Sequence, residues 1–177
     1  MRWSELLSAQ PALGAIAHEQ LIAPGVLLVG TVRRAGIARI SAVEPLILDG
    51  DLWLSMMSSS TKARDLARDR RIVLNSIVTA RDTAVEIKIV GEAVPESDRS
   101  MQERYAAAAA DQLGWRPVAG RFRLFRVSID DVTYIGADGE THGQHIARWP
   151  ANEEYVRPWT TPTSLGPPVP VRRILTS

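Results

Sequence analysis

The stretch Ser58-Ser59-Ser60-Thr61-Lys62-Ala63-Arg64-Asp65-Leu66 sets three serines, a threonine and a lysine at the head of a helix-forming run. A helix N-terminus carries unpaired N–H groups and the positive end of the backbone dipole, so hydroxyls and a lysine there can form an anion site suited to phosphate. The same residues also suit an ordinary serine cap with a solvated lysine. Lys62 stands out because it and Lys88 are the only lysines among 21 basic residues. In Arg39-Ile40-Ser41, strand alternation puts Arg39 and Ser41 on one face, either extending the anion site or meeting solvent. His142 and His145 lie near Asp138 and Glu140, but a loop His-x-x-His with no third ligand at a known spacing does not specify a metal, and none is expected. His145 or His18 is a candidate axial ligand for haem. Trp149 and Trp159 suit either stacking on an aromatic ring or anchoring an irregular tail. Neither the Walker phosphate motif nor G-x-G-x-x-G occurs.

Those residues need a scaffold, and the apolar pattern predicts one. Pro11 to Leu21 reads as a short amphipathic helix ended by Ala23-Pro24-Gly25. From Val26 to Asn75 the pattern changes to short β-rich runs at 26–32, 37–43, 46–48 and 51–56, with Asp49-Gly50 as a hairpin signal. A compact helix from Ser60 to Arg71 interrupts this meander. Strands resume at 71–78 and 85–94, the second alternating strictly, and Ser97 to Leu113 is a helix ending at Gly114. A long strand or bent pair follows over 122–136, then a strand at 145–149. The pattern predicts a mainly β, α+β fold: an antiparallel closed or split β-barrel of about six strands with peripheral helices. Residues 1–149 form one domain, and 150–177, holding 6 of 11 prolines, form an arm without regular structure, extended or disordered.

Composition narrows the function classes. At 177 residues, 45% hydrophobic and 23% charged, the chain suits one packed core. A net charge of +1 lacks the basic excess of a duplex binder, so no nucleic-acid partner is expected. The absence of cysteine excludes thiolate metal sites, iron–sulfur clusters and cysteine nucleophiles. The N-terminal residues show no apolar leader and no run approaches a membrane span, so the expectation is a cytoplasmic protein without a membrane partner.

The order of these motifs resembles the pyridoxamine 5′-phosphate oxidase-like, FMN-binding split-barrel family. Gly36 to Glu44 is similar to its Arg-headed strand, Leu52-Trp53-Leu54-Ser55-Met56 to its aromatic-rich strand, and Ser60 to Leu66 to its helix start. Asp69 to Leu74 and Glu86 to Gly91 follow where its next two strands stand. The resemblance spans about residues 26–95. It implies that Arg39 and Lys62 bind the FMN phosphate with donors from Ser60 and Thr61, Ser41 continuing that face. It also implies that Ser55 and Met56 lie along the isoalloxazine, with Glu86 at the family's Gln position; Trp149, whose residue type suits stacking, would then be the aromatic covering that ring. It further implies a homodimer with the cofactor at the interface, acting on a small-molecule substrate. Three positions depart from the family: Thr61 replaces an arginine, Glu44 a lysine and Glu86 a glutamine. Tyr105 is followed four residues later by Ala109, where the oxidase has a phosphate-holding arginine, and the Arg-x-His pair is missing. Vitamin B6 oxidation is therefore not expected, and no catalytic residue is named. The readings carried forward are an FMN-dependent oxidoreductase, a reductase using the deazaflavin coenzyme F-420, and a non-catalytic flavin- or haem-binding protein. For the deazaflavin, Arg64, Arg68 and Arg70 would meet its acidic tail.

Overall fold

The computed structural model describes residues 1–79 and 85–175. The chain begins with helices α1 (Trp3–Ala9) and α2 (Pro11–Ala17) and a π-helical turn, His18–Ile22. Strands β1 (Leu27–Val32), β2 (Ala38–Val43), β3 (Pro45–Leu48) and β4 (Asp51–Met57) follow, then α3 (Thr61–Arg68), β5 (Arg71–Asn75) and β6 (Glu86–Glu96). After α4 (Arg99–Leu113) come β7 (Phe122–Ala137), β8 (Gln144–Trp149) and β9 (Glu153–Arg157). Three short strands end the chain: β10 (Trp159–Thr161), β11 (Ser164–Leu165) and β12 (Val169–Pro170).

Every strand pair is antiparallel. The main sheet runs β12-β9-β8-β7-β6-β5-β1-β2, with the β3–β4 hairpin joined to β7 through β4. The 16 residues of β7 make the split: Phe122–Arg126 pair with β4, while Val132–Ala137 pair with β8. β2 and β3 are one segment bent at Glu44, the first half pairing with β1 and the second with β4. The ring of six is thus completed through a bent strand rather than by ladder bonds. Asp49 and Gly50 both take positive φ, 53° and 76°, as the tight β3–β4 turn requires.

Two apolar clusters fill the interior. The larger joins Trp3, Leu6, Leu13 and Leu21 of the N-terminal helices to Leu27, Val29, Leu52, Leu54, Ile87 and Ile89 of the sheet. The smaller, under α4, holds Leu46, Trp53, Tyr105, Ala109, Phe122 and Leu124. The outer face of the sheet differs. Gly30 faces Ile40 on one side and Val73 on the other, and Val73 faces Val90, so one row crosses four strands. Its apolar members are 71%, 37% and 40% exposed.

The structure adds α1, which the sequence reading did not separate, although Trp3 and Leu6 at i, i+3 are its buried stripe. The region after 150 departs further from expectation. β9 pairs with β8 over five positions, β12 pairs with β9, and Ile174 and Leu175 pack into the larger core cluster. Regular structure survives there because β9 contains no proline, while Pro170 sits on the two-residue edge strand β12.

Candidate functional site

The β2–β3 bend, the end of β4, the start of α3 and the loop from α4 to β7 surround a cavity of about 470 Å3. Ligand pockets usually fall between about 300 and 1,000 Å3. Val43, Met56 and Phe122 give it an apolar floor, and Ser55, Ser60, Lys62 and Glu44 are polar groups on its wall. Trp115, Pro117, Val118 and Arg121 come from the α4–β7 loop. That loop leaves α4 through Gly114, whose φ of 75° ends the helix in the left-handed region. It is pinned at its far end, where the Gly120 amide donates to Gln102 Oε1 at 2.9 Å. Across the pocket mouth, Trp115 Nε1 donates to Glu44 Oε2 at 2.8 Å.

Ser60 is the N-cap of α3, its hydroxyl accepting from the Ala63 amide at 3.2 Å. Capping holds the first turn in place, and the Thr61 and Lys62 amides make no hydrogen bond among the described residues. Lys62 Nζ donates to the Ala42 carbonyl at 2.9 Å and pairs with no carboxylate among the described residues. Burial pushes its pKa down from the ordinary lysine value. A partly desolvated ammonium facing only a carbonyl is stabilised by an arriving anion.

Arg39 is differently placed. Its Nε donates to Asp65 Oδ2 at 2.7 Å, and Asp65 also receives Thr31 Oγ1 at 3.3 Å and Arg68 Nη2 at 3.4 Å. Burial alone would raise the Asp65 pKa, but Arg39, with Arg68 and Thr31, outweighs it and the net shift is downward. The terminal nitrogens of Arg39 make no hydrogen bond among the described residues.

Of the residues singled out by sequence, Ser55, Met56, Ser60 and Lys62 meet at the cavity. Arg39, Ser41, Thr61, Glu86 and Trp149 do not line it. Glu86 pairs with Lys88 at 3.3 Å on β6, and Trp149 packs half-buried against the larger core cluster. His145 Nε2 lies 2.8 Å from Glu154 Oε1, both buried. The sequence reading missed Trp115, Arg121 and Phe122. Its available signal was a tryptophan between two glycines, Gly114 and Gly120, in a loop.

No helix among the described residues is long and apolar enough to cross a membrane. No protein-family model matches the chain, and no curated protein matches it in sequence. Solved structures do match. PhzG from Burkholderia lata, in complex with tetrahydrophenazine-1-carboxylic acid, aligns with a TM-score of 0.58 at 17% identity over 89% of this chain and 88% of that one. A Clostridium acetobutylicum protein related to general stress protein 26, of the pyridoxinephosphate oxidase family, gives 0.52 at 19% over 69% and 87%. An F420 reductase gives 0.52 at 12% over 65% and 94%. Joined to the forked β7 and the bent β2–β3 segment, these matches show that the chain has the pyridoxamine 5′-phosphate oxidase-like split-barrel fold.

Proposed function

We propose that the cavity beside α3 holds a flavin-type cofactor, FMN or coenzyme F-420, and that the protein uses it for two-electron redox of a small molecule. The observation that carries this reading is Lys62, partly desolvated, without a carboxylate partner among the described residues, and adjoining a capped helix start at the rim of an apolar cavity. Lys62, Ser60 and the free amides of Thr61 and Lys62 hold the phosphate. Met56 and Phe122 cover the ring, and Ser55 supplies a hydroxyl at its edge. Arg39, oriented through Nε by Asp65, offers its terminal nitrogens to the same anion, with Ser41 beside it on β2. When bound, the cofactor supplies the hydride chemistry, and the chain's part is to hold the ring, orient it and exclude water. The F420 reductase among the structural neighbours and the exposed Arg64 and Arg70, which make no ion pair among the described residues, favour keeping the deazaflavin as the second cofactor reading. No histidine lines the cavity, so haem is not carried forward.

The test is titration of the wild type with FMN and with F-420, each followed by quenching of cofactor fluorescence. Lys62→Ala is expected to weaken binding by about 1.5–3 kcal/mol, roughly tenfold to 150-fold, the range for a charge-assisted hydrogen bond. Unchanged affinity sinks the phosphate assignment. Turnover of a reduced or oxidised substrate separates an enzyme from a flavin-storage protein.

The outer row of Ile40, Val73 and Val90 supports a second copy of this chain as the partner, in a homodimer covering that face. Light scattering is expected to give a dimer mass at micromolar concentration, and Val73→Glu to give a folded monomer. A monomeric wild type counts against this assembly.

A further inference from the structure

Tyr105 lies in the middle of α4 with no exposed surface, and its hydroxyl has no hydrogen-bond partner among the described residues. Orphaned buried hydroxyls are uncommon because each retains a desolvation cost with nothing to offset it. Its surroundings are specific. The ring packs against Phe122, with centroids 5.7 Å apart, and Phe122 is part of the cavity floor. Ser55 lines the cavity and stands opposite Leu124, which packs in the same cluster as Tyr105; its hydroxyl favours the ionised phenol, without a hydrogen bond of ordinary geometry reaching Tyr105 Oη. Glu44, the third neighbour, is also on the cavity wall, but its Oε2 accepts from Trp115. Tyr105 is therefore a buried donor immediately behind the wall, next to a serine that is on it.

We propose that Tyr105 and Ser55 form a two-hydroxyl relay that presents one hydrogen-bond donor at the cavity floor and selects a ligand with a carbonyl or ring-nitrogen acceptor at that point. Ser55 can accept from Tyr105 while donating its own proton, so one ligand acceptor satisfies both hydroxyls. Without that acceptor Ser55 exchanges among rotamers, only some of which reach Tyr105 Oη, and the structure shows one that does not. Glu44, held at the cavity wall by Trp115, does not accept from Tyr105 Oη. The relay is a positioning device: no proton leaves Tyr105, and the phenol is held neutral by burial, with Glu44 adding to the effect. This inference rests on the cavity being the cofactor site, and the experiment separates the two.

The variants are Tyr105→Phe and Ser55→Ala, each titrated with FMN and with F-420. Tyr105→Phe removes one oxygen from a site with no partner, so a purely structural residue would leave affinity unchanged and the melting temperature equal or higher. The relay predicts a five- to tenfold loss of affinity for the cofactor that binds, with no loss of stability in the ligand-free protein. It predicts a similar loss in Ser55→Ala and no further loss in the double variant. Unchanged affinity in Tyr105→Phe, or additive losses, overturns it. The second readout needs no cofactor: the 13C shift of the tyrosine Cζ at neutral pH, with the Tyr105 signal identified by its absence in Tyr105→Phe. In the ligand-free protein that shift averages over the Ser55 rotamers that reach Tyr105 Oη and those, like the one in the structure, that do not. Ser55→Ala is expected to move that signal, and an unmoved signal overturns the coupling. If the wild type binds neither FMN nor F-420, the cofactor reading fails, and the relay stands or falls on the Cζ shift.

Discussion

Glu154→Ala is expected to destabilise the protein by about 3–5 kcal/mol, the range for removing one partner of a buried hydrogen-bonded charge. The Glu154 side chain has no exposed surface and accepts from four donors: the amides of Arg173, Ile174 and Leu175 at 3.0, 2.8 and 2.9 Å, and His145 Nε2 at 2.8 Å. Three consecutive amides converging on one carboxylate tie the C-terminal segment to β9. Loss of the carboxylate leaves those amides buried and unpaired, and it releases Ile174 and Leu175, whose burial is worth at most about 1.5–3 kcal/mol each. For a domain of this size the melting temperature should fall by about 6–20 °C, measured by calorimetry. Glu154→Gln keeps one acceptor oxygen and is expected to lose less. A second anchor adds pH dependence. Arg173 bonds Asp138 and, at 2.9 Å, Glu140. Asp138 is held at a pKa of about 2, chiefly by the Thr141 hydroxyl, with the Thr141 amide and Arg173 adding to it against burial. The folded pKa lies below the unfolded one, so this stabilisation is present above pH ~4 and is lost as the pH falls toward ~2. Proteolysis of the C-terminal segment is expected to accelerate over that acid window. A melting temperature within 2 °C of wild type for Glu154→Ala would refute the clamp.

Local chemistry carried much of this fold into the sequence. Asp49-Gly50 marked its hairpin because the turn needs positive φ, Ser60 marked the start of α3, and Gly114 marked the end of α4. The sequence order of Ser55, Met56, Ser60 and Lys62 was enough to gather them, since β4 leads directly into α3. What could not be read was anything closed by distant chain. Arg39 and Asp65 are 26 residues apart, and nothing local says that the carboxylate of α3 turns back onto β2. Trp115 reaches Glu44 across 71 residues, so the loop that roofs the cavity had no local marker beyond its glycines. The prolines after 150 misled for a related reason: composition counts them together, whereas the fold sets most of them between strands and leaves β9 intact. Glu154 shows the same limit, since its partners are backbone amides about 20 residues on, and amides carry no sequence signal.

The second large effect falls on Asp65. Asp65→Ala is expected to cost about 3 kcal/mol, at the lower end of the range for a broken buried pair because Arg39 retains partial access to water. The loss has two parts. Arg39 and Arg68 lose the carboxylate between them and are left as neighbouring like charges, and Thr31 Oγ1, buried beside them, loses its acceptor. Asp65→Asn separates charge from shape, keeping an acceptor while leaving Arg39 uncompensated. Stability and ligand binding should then move in opposite directions. The Asn variant melts lower, yet if Arg39 reaches the cofactor phosphate its affinity for FMN or F-420 holds or rises, whereas Arg39→Ala lowers it. If Arg39 serves only to pair Asp65, affinity is the same in all three proteins and the phosphate rests on Lys62 alone. The pH dependence supplies an internal control. Because the folded Asp65 pKa is depressed, its contribution is complete above the unfolded value near 4 and disappears as the pH falls through the folded value. The stability gap between wild type and Asp65→Asn should therefore be full at neutral pH and shrink in acid. A gap that stays constant from pH 7 to 3 would mean that Asp65 acts through shape rather than charge.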